Sequence, residues 1–329
     1  MKRTLGLTLL LFATLFSCMR QEKPLPAELS RAESVMWEHP DSALSILRSM
    51  PQSSLSIGKN YATWALLLAQ ARDKVYGKRL PDSLNIPSSD KLVQDAMDYF
   101  EKEGDLKRMA QTYYYKGQLL KDQKKITEAM PFFLKSKEMM TKLDEPLFTY
   151  LICQSLGNMY RYQDLYEESL VQLKDAYQYA LRSGNGERIS YALSELGRTY
   201  VHKNEMDSAL FYFGKSLDNA QRLGNIELEA MAMGELGVVY NKLSQGEKAL
   251  HYTRKELDLC LQISSLHKLP QVYYKIGSAF WSLGQLDSAK VYFQKSLETD
   301  NLYTLNEAYE VLYYICVEQK LYKEAIEYN

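Results

Sequence analysis

Glycines fall 40 residues apart along most of the chain, at Gly117, Gly157, Gly197, Gly237 and Gly277. Spacing this regular restricts the fold to stacked copies of one small unit, because a single copy cannot bury its own apolar face. The same residues return around each glycine, as in Leu196-Gly197-x-x-Tyr200, Leu236-Gly237-x-x-Tyr240 and Ile276-Gly277-x-x-Phe280. A small residue follows 12 positions later (Ala129, Ser169, Ala209, Ala249, Ala289), and a large apolar one four beyond it (Phe133, Leu173, Phe213, Phe293), with Thr253 the exception. Apolar positions at intervals of three and four, on both sides of a short polar turn such as Lys203-Asn204-Glu205, predict two helices per unit. Asp207 and Asp287 sit where second helices should begin and are expected to accept hydrogen bonds from their free amides. Five glycines within helices oppose helix formation by about 5 kcal/mol together. Close approach must offset this, so each first helix is expected to lie directly against the small residue of its partner.

These residues resemble the signature of the tetratricopeptide repeat family, which carries an aromatic residue or Leu, then Leu, Gly and Tyr, then Ala, Phe and Ala at these offsets. The resemblance covers residues 27–329, with a period of 40 in place of the usual 34. It implies an all-α, right-handed superhelical solenoid of about eight antiparallel helix pairs. The domain reading is residues 1–17 as a leader, 18–26 as a tether, 27–104 as degenerate repeats, 105–303 as five regular repeats and 304–329 as a truncated last repeat. Within the degenerate part, first helices are expected near 27–38 and 60–76. Asp41-Ser42-Ala43-Leu44 and the Ala96/Phe100 pair mark second helices, and residues 77–89, with Pro81 and Pro87, read as a surface loop. Thr253 and Glu256 replace the usual aromatic and small residues, so the unit around Gly237 is expected to pack more loosely. A last second helix begins near Tyr322 and stops at Asn329, which leads to the expectation that the chain continues in the native product.

Lys2 and Arg3 precede an apolar run, Leu5 to Phe16, and Ser17-Cys18 follows at once, the pattern of an export signal. Leu15-Phe16-Ser17-Cys18 resembles the bacterial lipobox, which implies cleavage before Cys18 and lipid on its sulfur. Acyl chains contribute about 0.8 kcal/mol per buried methylene, enough to hold the protein at a bacterial membrane. The tether reaches roughly 30 Å at most. The expected location is the cell envelope, lipid-anchored to a bacterial membrane, at the outer membrane or a periplasmic face. A formal charge of −1, slightly more acidic once Lys2 and Arg3 are removed, gives no long-range pull on nucleic acid or anionic lipid.

Little points to chemistry. The four histidines, His39, His202, His251 and His267, never share a helix at a spacing of three or four, so no metal site is expected. Cys153, Cys260 and Cys316 form no Cys-x-x-Cys pair and read as small buried hydrophobes. Gly184-Asn185-Gly186 follows no strand and reads as a turn, not a nucleotide loop. Most of the 26 tyrosines, including Tyr113, Tyr160, Tyr200, Tyr240 and Tyr273, fall on core stripes. The sequence therefore predicts a non-catalytic protein without cofactor or metal.

In the resembled family the first helices line a concave surface, and residues at −6, −3, +1 and +4 from the glycine face into it. Carried over, these are Gln111, Tyr114, Gln118 and Lys121; Leu151, Gln154, Asn158 and Arg161; Tyr191, Ser194, Arg198 and Val201; Met231, Gly234, Val238 and Asn241; and Gln271, Tyr274, Ser278 and Trp281. The offsets form one continuous helical stripe, distinct from the core stripe at −4, −1, 0 and +3. None of these 20 residues is acidic, in a chain with 41 acids among 329 residues. The expected groove presents Tyr114, Gln118, Lys121, Gln154, Asn158, Arg161, Tyr191, Arg198, Asn241, Tyr274 and Trp281. It is expected to take a protein or peptide segment with a carboxylate near the Lys121, Arg161 and Arg198 half and apolar residues near Trp281. The leading functional expectation is a lipid-anchored, partner-binding scaffold. A sensing ectodomain of a repeat-containing membrane regulator of Bacteroidota-like bacteria and an accessory subunit of an envelope enzyme are the alternatives.

Overall fold

In a computed structural model the described residues are 25–51, 55, 58–76, 88–299 and 301–328. The leader, Cys18 with most of the tether, and residues 77–87 of the expected loop lie outside them. Every described element is helical. The helices are α1 (Ala27–Val35), α2 (Pro40–Ser49), α3 (Lys59–Tyr76), α4 (Ser89–Glu103), α5 (Leu106–Asp122), α6 (Ile126–Lys142), α7 (Pro146–Tyr162), α8 (Tyr166–Ser183), α9 (Gly186–His202) and α10 (Met206–Leu223). There follow α11 (Ile226–Lys242), α12 (Gly246–Gln262), α13 (Leu269–Ser282), α14 (Leu286–Ser296), α15 (Leu302–Glu318) and α16 (Tyr322–Glu327), with one 3₁₀ turn at Leu266–Lys268. None of the described helices is long and apolar enough to cross a membrane.

Joints recur every 20 residues. A residue with positive φ stands at Gly104, Lys124, Asp144, Asp164, Gly184, Asn204, Gly224, Ser244, Ser264 and Gly284. Each ends one helix in the left-handed region and turns the chain back, so the 40-residue repeat consists of two nearly equal halves. Side-chain caps belong mostly to the first helices: Asp105 accepts from Arg108 N at 3.0 Å, Asn185 from Arg188 N at 3.0 Å and Asn225 from Leu228 N at 3.1 Å. The expected caps Asp207 and Asp287 are not caps. The N-cap residues are Glu205 and Gln285, neither with a side-chain cap bond, and both aspartates lie within the first turn. There their charge suits the positive end of the helix dipole.

The chain divides inside α6 into two compact units, residues 1–129 and 130–329. In the first, α1 to α5 pack in sequence order, each on the next, around buried Leu29, Leu47, Leu66, Leu92 and Phe100. The Trp64 indole donates to Leu47 O at 2.9 Å, tying α3 to α2. The expected helices at 27–38 and 60–76 are present with shifted ends, and Ser89, expected in the loop, opens α4 behind a Ser88 cap.

In the second unit the closest contacts join α7 to α8, α9 to α10, α11 to α12 and α13 to α14, as antiparallel pairs, while the first helices α7, α9, α11, α13 and α15 also touch one another in turn. The repeated glycines do admit close approach, but to a different residue from the one expected. A Cβ at Gly157 would stand 2.5 Å from Leu173 Cγ, and one at Gly197 would stand 2.6 Å from Phe213 Cε1. The large residue 16 positions on covers the glycine, and the small residue at 12 brings its backbone in, with Ser169 O 3.3 Å from the Gly157 position. Nor is the Gly237 unit loose: Thr253 Cγ2 would lie 2.6 Å from a Cβ there. Phe133, Leu173, Phe213 and Phe293 are fully buried, as are Cys153 and Cys316, with Cys260 nearly so.

Candidate functional site

The stripe residues fall on the first helices, and each unit holds its share. In residues 1–129, α5 carries Gln111, Tyr114, Gln118 and Lys121. Gln111 and Tyr114 are almost fully buried, Lys121 donates to Gln118 Oε1, and Gln118 donates to the Tyr114 hydroxyl at 2.6 Å. This part of the stripe is tied to itself.

In residues 130–329 the stripe runs over α7, α9, α11 and α13. Tyr191 and Trp281 are the open aromatics, 40% and 41% exposed. Gln154, Asn158, Val201, Met231, Val238 and Asn241 are half-buried, while Ser194 and Gly234 are buried. The Oδ1 atoms of Asn158 and Asn241 are buried and have no hydrogen-bond partner. The Tyr274 hydroxyl donates to Glu307 Oε2 at 3.0 Å, and burial followed by that carboxylate raises its pKa.

The expected cations are not open to a carboxylate. Arg161 is only 8% exposed and donates to Glu195 Oε2 at 2.7 Å. Arg198 donates to Glu195 Oε1 at 2.7 Å and to Glu235 Oε1 at 2.6 to 2.7 Å. Burial works against the Arg198 charge, yet Glu235 and Glu195 outweigh it and raise its pKa. Glu195 and Glu235 each precede a repeat glycine by two residues, a position outside the four groove offsets. Their long side chains reach sideways into the stripe, so Arg161 and Arg198 are neutralised within it.

Beyond this chain of pairs lies a cavity of about 320 Å³, lined among others by Tyr191, Arg198, Met231, Glu235, Glu256 and Lys275. Glu256 comes from α12 and is 6% exposed. Lys275, from α13, donates to its Oε1 at 2.7 Å. Burial pushes the Glu256 carboxyl above its usual value although Lys275 opposes the shift. Burial also works against the Lys275 ammonium, but Glu256 and Glu235 hold its pKa above normal. The pair occupies space left by Gly234 on α11: a Cβ there would stand 2.5 Å from Glu256 Cδ and also collide with Lys275 Nζ. Cys260 joins the lining, its thiol pushed up by burial and kept protonated. At the rim, Lys268 pairs with Glu227 at 2.5 Å.

The tetratricopeptide repeat family model matches residues 110–139 and 270–301. Among solved structures, the apo form of RapI superposes with a TM-score of 0.71 at 15% identity, over 92% of this chain and 85% of that one. A Rap protein complexed with competence and sporulation factor gives 0.64 at 12% identity, over 92% and 94%. Aspartyl phosphate phosphatase F from Bacillus subtilis gives 0.58 at 14% identity, over 94% and 88%. At such identities the likeness is one of fold, an array of paired helices. Comparison with curated proteins finds no match.

Proposed function

We propose that the chain is a non-catalytic scaffold that binds a protein or peptide segment along the first helices of residues 130–329. The observation that carries this reading is the pairing of open aromatics, Tyr191 and Trp281, with the partnerless side-chain carbonyl oxygens of Asn158 and Asn241 on one helical stripe. An unpaired acceptor is costly when buried, and the N–H groups of a peptide supply donors that satisfy it once the asparagine side chains turn toward them. The repeat fold itself supports a partner-binding role, and one Rap protein with this fold is solved in complex with competence and sporulation factor. A non-catalytic role is supported by the charged groups, which serve one another as ion pairs, and by a cavity cysteine held as a thiol. Because Arg161 and Arg198 are already neutralised, the partner needs no terminal carboxylate.

The Leu15-Phe16-Ser17-Cys18 sequence supports a lipid tether on Cys18 and a place in the cell envelope. Radiolabelled palmitate incorporated by wild type and retained by Cys18→Ser would remove that part of the reading.

The binding test is an array of random peptides probed with the full chain. A restricted family of sequences should be selected. The joint change Asn158→Ala and Trp281→Ala should then weaken the best binder by about tenfold or more. Selection no better than scrambled peptides would refute the binding role.

A further inference from the structure

Four of the five repeat units place a small residue 19 positions after the glycine: Ser136, Ala176, Ser216 and Ser296. The fourth unit places Glu256 there. A carboxylate at a buried position needs both room and a counter-charge; Gly234 supplies the first and Lys275 the second. Residues of three different helices thus converge on one point at the cavity wall.

The arrangement leaves hydrogen-bonding capacity unused. Glu256 Oε2 is buried with no partner. Lys275 has three N–H donors, one of them given to Glu256 Oε1, and its side chain keeps 24% of its surface accessible. An acceptor and a donor therefore lie side by side, and the terminal torsion of a glutamate is soft enough to turn either oxygen toward an incoming donor. The charged lining is balanced, with Arg198, Lys268 and Lys275 against Glu227, Glu235 and Glu256. A charged guest would unbalance it. A volume of about 320 Å³ lies at the small end of ligand sites, which run from roughly 300 to 1,000 Å³, so it admits one side chain and not a length of backbone.

We propose that this cavity receives a neutral carboxamide, its N–H donating to Glu256 and its carbonyl accepting from Lys275. The apolar wall of Leu228, Ala230 and Met231 would cover the methylenes that carry it. Chemically this is the side chain of glutamine or asparagine, within a partner peptide or as the free amino acid. The inference rests on the peptide-binding reading only for the source of the guest.

The test measures affinities by ligand-observed NMR for the full chain, using N-acetyl, N-methylamide derivatives of Gln, Asn, Glu, Lys and Met, together with free glutamine. Either carboxamide probe should bind about tenfold or more tighter than the Glu, Lys and Met probes, the loss expected for one hydrogen bond to a charged group. A capped probe stronger than free glutamine assigns the guest to a peptide, and the reverse order assigns it to the amino acid. The preference should vanish in Glu256→Ser with Lys275→Gln, whose fold is checked by circular dichroism. Equal affinity for all probes, preference for Lys or Glu, no binding of any, or discrimination that survives in the folded double variant would each overturn the proposal. The wild-type comparison decides the matter even if that variant does not fold. Lost probe discrimination with peptide-array selection intact removes the carboxamide site alone, and the converse removes the peptide reading alone.

Discussion

Two glycines of neighbouring helices have opposite duties. Gly197 faces the Phe213 ring, whereas a Cβ at Gly214 on α10 would meet nothing within 4 Å. Gly214→Ala should stabilise the protein by about 1 kcal/mol through helix propensity alone. Gly197→Ala receives the same gain but forces the ring aside, and overpacking of this kind costs about 1 to 3 kcal/mol. Thermal unfolding should therefore move up for Gly214→Ala and down for Gly197→Ala, and a rise in both would show that the glycine is not a packing requirement. Glu256 offers a second test. Its carboxyl titrates above its unfolded value because of burial, so the folded protein holds that proton more tightly than the unfolded chain does. The resulting stability is complete below the unfolded carboxyl range and is lost as pH rises through the raised folded value. Denaturant unfolding should accordingly show wild type gaining on Glu256→Gln as pH falls from 8 toward about 4.5.

These residues also mark where sequence ceases to be enough. The repeated glycines, the large residues after them and the buried cysteines follow from one local period and are legible. Glu195 and Glu235 are not, because helical phase puts them between the core and groove stripes, and only the neighbouring Arg161 and Arg198 decide which way they lean. Glu256, Lys275 and Gly234 belong to three helices, and no local pattern announces that they meet.

At the scale of the element, the helix starts differ in the residue that occupies the N-cap and in its backbone dihedral. In first helices a short polar residue, Asn185 or Asn225, occupies the N-cap and closes on an amide three residues later. In both kinds the N-cap directly follows a left-handed residue, but in second helices it is a longer side chain such as Glu205, with ψ of 76° against 106° at Asn185, and the aspartate lands in the first turn instead. Spacing alone placed Asp207 near the start of α10, but the turn geometry that sets its role is a matter of backbone dihedrals. Asn185→Ala should cost about 1 kcal/mol, the usual value of a lost cap. Asp207→Ala should cost about 0.5 kcal/mol, since only an interaction with the helix dipole is removed. Equal losses in thermal melts would contradict this division.

At the scale of the whole molecule, the helices within each unit touch mainly their neighbours in sequence and the next helix of their kind. Stability in such an array is a sum of local terms, so its parts need not unfold together. Trp37 and Trp64 lie in residues 1–129 and Trp281 in residues 130–329, which gives each unit its own fluorescent reporter. Urea unfolding of Trp281→Phe and of the joint variant Trp37→Phe, Trp64→Phe should give curves that do not coincide. Superimposable curves would mean that the array melts as one.

The 20-residue beat of left-handed joints has an evolutionary corollary. Asn204 and Ser244 have φ of 62° and 57°, and the bonds that close their turns, Glu205 N to Tyr200 O and Gln245 N to Tyr240 O, are both 2.9 Å. These two seams share one geometry, so crossing-over between them would add or drop a helix pair while keeping the turn on both flanks. Descendants of this gene can change in size readily, but only by whole paces.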